Sequence, residues 1–227
     1  MMTVIGEDNV DKVKNMKETY KKQKLDCLLT LGGNGTHKTS YLLAQEGLNV
    51  IGLPKTIDND IYGTDVTFGY QTAVDIATDA IDRLHTTAAS HSRILVCEVM
   101  GNKAGWLTLS AGIAGGADII LIPEIPYDIE KVCEALLKRA ANGKSFSIMA
   151  VAEGAFDVEE AKLKKKQRAQ KRAEAGILTA TSRIAARCRH PRALTPGYAY
   201  RDICSGAAVP MLMTVCLPQS WVCMRQS

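Results

Sequence analysis

The strongest constraint on this fold is an alternation. Near-continuous apolar runs at Leu25–Leu31, Asn49–Leu53, Ile94–Val99, Asp118–Ile122 and Ser147–Ala152 are separated by stretches of helical character. An apolar run without polar alternation predicts a strand buried on both faces, so the first strand should be buried from Cys27 onward. The intervening stretches repeat apolar residues three and four apart. Val10–Gln23 carries Val10, Val13, Met16 and Tyr20 on one face, which predicts a helix with a buried stripe. Phe68–His85 carries Ala73, Val74, Ile76, Ala77, Ile81 and Leu84. Further helices are predicted from His37 to Glu46, from Ala104 to Ala114 before Gly115-Gly116, and from an Asp128 cap to Asn142 before Gly143. Strand and helix in strict succession predict an α/β fold: a parallel sheet with helices on both faces.

Polar residues collect where these strands end. After Leu53 the chain reads P-K-T-I-D-N-D. Pro54 stops the strand and holds the backbone extended. Asp58 and Asp60 follow two apart, beside Lys55 and Thr56. Two such carboxylates cannot both be buried unpaired; they need cations, a metal or substrate hydroxyls. A carboxylate able to take a proton from a hydroxyl, next to a lysine, suits phosphoryl transfer. Alone, D-N-D is also common in solvated surface loops. Gly32-Gly33-Asn34-Gly35-Thr36 ends an earlier strand and opens a helix, an arrangement whose amides bind phosphate. Met100–Lys103 and Glu153 end two more strands. Ligands of parallel sheets bind beyond the carboxyl ends of strands, which favours a site over scattered solvated residues.

Composition excludes several classes. At 46% hydrophobic over 227 residues the chain can build one or two domains, yet no run approaches the ~20 apolar residues of a membrane span. The start, M-M-T-V-I-G-E-D-N, lacks the basic and apolar regions of a signal peptide. Net charge is +4, concentrated in Lys162–Arg172. That run has no interleaved aromatics, so it reads as a solvated helix face and not as a nucleic-acid site. The cysteines form no C-x-x-C; Cys27, Cys97 and Cys133 read as reduced, buried thiols of a cytoplasmic protein, with neither membrane nor nucleic acid as partner.

Taken together, G-G-N-G-T at 32–36, P-K-T-I-D-N-D at 54–60, S-H-S-R at 90–93, E-V-M-G-N at 98–102, A-G-I-A-G-G-A-D at 111–118 and A-E-G at 152–154 resemble the bacterial-type 6-phosphofructokinase family, which includes ATP- and pyrophosphate-dependent members. The resemblance implies a Rossmann-like phosphofructokinase fold, incomplete here, over residues 1–186. It implies phosphoryl transfer from ATP to the 1-hydroxyl of fructose 6-phosphate, a glycolytic reaction. Asp58 resembles the catalytic base. Thr56 and Asp60 would stand beside the reacting groups. Gly33, Asn34, Gly35 and Thr36 would cradle the donor's phosphates, with Lys55 near them. Arg93 resembles an arginine that reaches a neighbouring subunit's sugar phosphate, implying a homo-oligomer. Met100, Gly101 and Asn102 would line the sugar, and Glu153 would accept one of its hydroxyls. Mg2+ would fall to Asn34, Asp58 and Asp60.

The sequence departs from the family pattern in several places. Many members have Asp at the place of Asn34; an amide is the weaker magnesium ligand, so Asp58 or Asp60 would carry more of the metal. Many have Arg at the place of Asn102, which offers no fixed charge. Gly35 leaves room for a nucleotide where pyrophosphate users have Asp, whereas Lys55 resembles the lysine of pyrophosphate users; space favours ATP. The family's first strand and its glycine-rich loop are expected before Val10 and are absent. Its P-G-H-x-Q-R-G-G-x-P motif, expected after residue 190, is absent too. Read one base earlier, the codons allowed by Arg201–Pro218 can spell PGHMQRGGSPYAYDRVFA. Residues 187–227 are therefore expected to be a frameshifted, poorly ordered tail, and the chain as it stands to be inactive. The competing readings are a pyrophosphate-dependent enzyme and a catalytically dead paralogue that binds sugar phosphate or nucleotide. A dinucleotide-binding dehydrogenase lacks support, since G-G-N-G-T is not G-x-G-x-x-G.

Overall fold

A computed structural model of the chain describes residues 12–174, 179–188, 203–204 and 212–215. The chain divides into two compact units, residues 1–71 and 72–227.

The first unit contains α1 (Val13–Lys22), β1 (Leu28–Gly32), α2 (Asn34–Gln45) and β2 (Val50–Pro54). β1 and β2 pair in parallel from Leu28↔Val50 to Gly32↔Pro54. Alternate residues of a strand point to opposite faces, and parallel partners share one. One face meets α2: Thr30 Oγ1 lies 2.7 Å from Ser40 Oγ, and the His37 ring rests against Gly52. Leu43 and Ser40 of α2 are buried. The opposite face carries Leu29, Leu31 and Ile51, which are 57%, 60% and 50% exposed. The first strand is thus half open, contrary to the expected burial from Cys27 onward; Cys27 itself is only partly buried. The stripe of α1 is not buried either: Val13 and Tyr20 are half-buried and Met16 is exposed. A two-stranded sheet is too small to give a helix much apolar area. An ion pair, Lys17 Nζ to Glu46 Oε2 at 3.0 Å, ties α1 to the end of α2.

The second unit holds most of α3 (Tyr70–His91), then β3 (Ile94–Val99), α4 (Trp106–Ala114), β4 (Ile119–Leu121), α5 (Ile129–Ala141), β5 (Ser147–Ala152), α6 (Val158–Ala161), α7 (Lys165–Glu174), α8 (Ala180–Cys188), β6 (Ile203–Cys204) and β7 (Leu212–Val215). β4, β5 and β3 are parallel neighbours in that order. Every residue of β3 and β5 is buried, as a sheet covered on both faces requires. Val96, Met149 and Val151 pack with Val132 and Leu136 of α5 and Ile184 of α8. α3 continues past His85 because Thr86–His91 keeps the helical stripe through fully buried Ala88; Ser92, at φ 52°, ends it. Asp128 caps α5 as expected, accepting from Glu130 N at 2.9 Å.

The segment read as a tail supplies β6 and β7, which share the second edge of β3. β6 runs parallel to Ile94–Leu95 and β7 antiparallel to Val96–Val99. The rest of residues 189–227 lies outside the described residues, as do the first eleven.

The basic run is only partly a solvated face. Lys164, Lys166 and Lys171 are exposed. Arg172, however, turns inward and grips Glu160 with two bonds, Nε–Oε1 at 3.0 Å and Nη2–Oε2 at 2.7 Å. Arg168 stacks on Phe156, its guanidinium carbon 4.3 Å from the ring centre. Arg183 donates to Ala155 O at 2.6 Å. Glu98 of β3 completes the cluster by accepting from the backbone N–H and the hydroxyl of Thr181, at 2.9 and 2.8 Å, so a buried carboxylate fixes the start of α8.

Candidate active site

In the first unit, two strand-end segments come together. Gly33 precedes α2, and Asn34, Gly35 and Thr36 form its first turn, so the helix begins three residues before the expected His37. First-turn N–H groups have no intrahelical acceptor. No side chain caps them and no acidic residue stands in the turn. The turn thus offers unfilled donors at the positive end of a twelve-residue helix. The acidic loop is anchored beside it: Lys55 N donates to Gly32 O at 3.0 Å, and Asn34 Nδ2 donates to Asp60 Oδ2 at 3.0 Å.

The loop's shape is held from within. Asn59 takes a left-handed φ of 51°, and its side chain accepts from Thr67 N at 2.8 Å and donates to Asp65 O at 3.2 Å. Asparagine tolerates that conformation better than most residues. Thr67, 2% exposed, donates its hydroxyl to Thr56 O at 2.6 Å. Asp58 N donates to Thr56 Oγ1 at 3.3 Å. Lys55 and Asp60 are exposed, whereas Thr56 and Asp58 are half-buried. Burial raises Asp58 above the ordinary carboxylate range, and the neighbouring charge of Asp60 raises it further. A carboxylate so placed holds a proton more readily than a free one, which suits a general base.

In the second unit, Met100, Gly101 and Asn102 leave β3 beside Glu153, which follows β5. Glu153 N donates to Val99 O at 2.9 Å and Gly154 N to Gly101 O at 3.1 Å. Gly101 has a φ of +147°, and a Cβ there would lie 2.7 Å from Ala104 O; a Cβ on Gly154 would collide with Asn102 O. Only glycines let the two segments approach this closely. Glu124, after β4, accepts from Gly105 N at 2.7 Å and fills the start of α4. Arg93 is not brought to this group. It precedes β3, whose six residues span about 20 Å, and so sits at the strand's other end.

Each unit is therefore an α/β layer with chemistry-bearing residues at its strand ends, and the first presents a helix N-terminus beside an acidic loop. Phosphate-handling proteins share that arrangement. The sequence model of the family described as Phosphofructokinase matches residues 3–202, and the chain belongs to that family. It is 67% identical over 154 residues to an ATP-dependent 6-phosphofructokinase of Spirochaeta thermophila, covering 68% of this chain and 42% of the relative. A protein of the same name from Propionibacterium freudenreichii is 58% identical over 154 residues, with 66% and 41% covered. Among solved structures, phosphofructokinase of Saccharomyces cerevisiae superposes with a TM-score of 0.64 at 30% identity, over 78% of this chain and 27% of that one. The chain thus spans about two fifths of the length of the curated relatives it matches.

Sequence reasoning missed Asn59, Thr67 and Glu124. All three work by bonds to backbone groups several residues away or more. Only Asn59, beside a turn, carried a local sign.

Proposed function

We propose that this chain is a portion of an ATP-dependent 6-phosphofructokinase, acting in the cytoplasm and in a homo-oligomer when the protein is whole. Asp58 accepts the proton of the 1-hydroxyl of fructose 6-phosphate. The hydroxyl oxygen bonds to the terminal phosphorus of ATP as the bond from that phosphorus to ADP breaks. The observation that carries this reading is the anchoring of the Asp58 loop beside the uncapped start of α2.

First-turn amides of α2, from Asn34 to Thr36, take the donor's phosphates, which bring the negative charge those donors lack. Mg2+ fits the donor set. Asp58, Asp60 and the Asn34 side-chain carbonyl are hard oxygen ligands of the kind magnesium takes. A magnesium ion held by few protein groups together with phosphates and water matches that set, and it would neutralise phosphate charge when bound. Met100, Gly101 and Asn102 contact the sugar, Glu153 accepts one of its hydroxyls, and Arg93 serves a neighbouring subunit. The names of two ATP-dependent relatives and the glycine at position 35 favour ATP, while Lys55 alone speaks for pyrophosphate.

Residues 187–227 carry no P-G-H-x-Q-R-G-G motif, so the sugar-phosphate grip expected from that motif is missing and the chain itself turns over poorly or not at all. A coupled assay for fructose 1,6-bisphosphate tests both statements. The chain should give no product, and a version with 187–227 rebuilt from the alternative frame and extended to full family length should give product with ATP. Product with pyrophosphate alone would overturn the donor assignment. Binding without product in the rebuilt protein would favour a dead paralogue.

A further inference from the structure

We propose that Lys103 is a phosphate-contacting residue at the strand ends of the second unit; the proposal rests on the phosphotransferase reading above. Lys103 follows Asn102 on the segment that leaves β3, and it is exposed. The segment is rigidly placed on both sides. Gly154 N donates to Gly101 O at 3.1 Å before it, and Gly105 N donates to Glu124 Oε1 at 2.7 Å after it. A lysine held between two such anchors presents its charge from a fixed base, which is what a positioning-dominated reaction requires.

Several other positive elements of the second unit are engaged or remote. The start of α4, which would otherwise attract an anion, is filled by the Glu124 carboxylate. Arg93 lies at the far end of β3. Arg139 pairs with Asp118 at 2.7 Å, and Arg172 pairs with Glu160 at 2.7 Å. Asn102 bears no charge. Lys103 is thus the cation that the strand-end segment itself carries, and among the described residues it forms no ion pair shorter than 4.0 Å. Two carboxylates, Glu124 and Glu153, flank its segment, so an approaching phosphate needs a positive partner there.

The shared chemistry is a phosphoryl group, supplied either by ATP or by the sugar phosphate. Lysine acetylation of the 227-residue chain, read residue by residue by mass spectrometry, separates the sources. Acetylation is run with no ligand, with Mg-ATP and with fructose 6-phosphate. Lys103 should be protected by at least one of them, with Lys166 and Lys171 of α7 unchanged. Protection by ATP assigns the donor's phosphate, and protection by fructose 6-phosphate assigns the sugar's. Lys103→Gln should weaken binding of the protecting ligand about 10-fold, as loss of a charge-assisted bond does, and Lys103→Arg should restore most of it. Protection of Lys55 without Lys103 would overturn this proposal and leave the functional reading standing. Protection of no lysine, together with no heat on titration of either ligand, would overturn both.

Discussion

Asp58, the proposed base, also costs stability. Its pKa is raised in the folded chain, first by burial and then by Asp60. The folded state therefore binds its proton more tightly than the unfolded state does. The sign follows: stability falls as pH rises from the unfolded carboxylate value through the raised folded one, and the loss is complete above it. Asp58→Asn should raise stability at neutral pH, and with it the melting temperature, by less than ~1 kcal/mol because the group is only half-buried, and the gain should vanish in acid. In a rebuilt, turnover-competent version the same change should lower kcat by about 10²–10⁴-fold with little change in KM. A destabilised Asp58→Asn chain at pH 7 would contradict the strained-carboxylate account. That Asp58, Lys55 and the glycine turn stand together at strand ends was legible from the apolar runs that precede them. Thr67 was not, since its bond to Thr56 O crosses eleven residues and leaves no local pattern.

Elements were legible where both faces of a strand or a full helical stripe are used. β3, β5 and α5 follow their apolar patterns closely. β1 did not, because the same apolar run serves a strand covered on one face or on two, and only the number of packed neighbours decides. α7 departs from the expected solvated face for a similar reason: arginines that look solvated in sequence can bury their stems against a carboxylate or a ring. That cluster makes a prediction. Burial pushes Glu160 up, but the bonds and charge of Arg172, with the charges of Arg183 and Arg168, outweigh it and hold the carboxyl below its ordinary value. A depressed carboxylate contributes stability above its unfolded pKa of about 4.3, and that stability is lost as pH falls through the folded value. Thermal melts should therefore drop below about pH 4.3, and Glu160→Gln should flatten that drop. At pH 7 the substitution should cost roughly 2–4 kcal/mol, since it leaves Arg172 partly buried without its anion. An unchanged melting temperature would show the ion pair to be dispensable.

At the scale of the whole molecule, the family was legible from a set of short motifs and the parallel sheets from the alternation of apolar runs. The pairing of β6 and β7 with β3 was not, because residues 187–227 have no periodicity to read. The central claim is that the first turn of α2 and the loop after β2 receive the phosphates of ATP. Calorimetric titration of the 227-residue chain with Mg-ATP and with Mg-pyrophosphate tests it most directly, with Gly35→Asp as the variant. The account predicts saturable binding of Mg-ATP, weakened at least about 10-fold by Gly35→Asp, because a carboxylate there fills the nucleotide's space and repels its phosphates. Saturation by Mg-pyrophosphate with no response to Mg-ATP, or Mg-ATP binding that Gly35→Asp leaves unchanged, would contradict it.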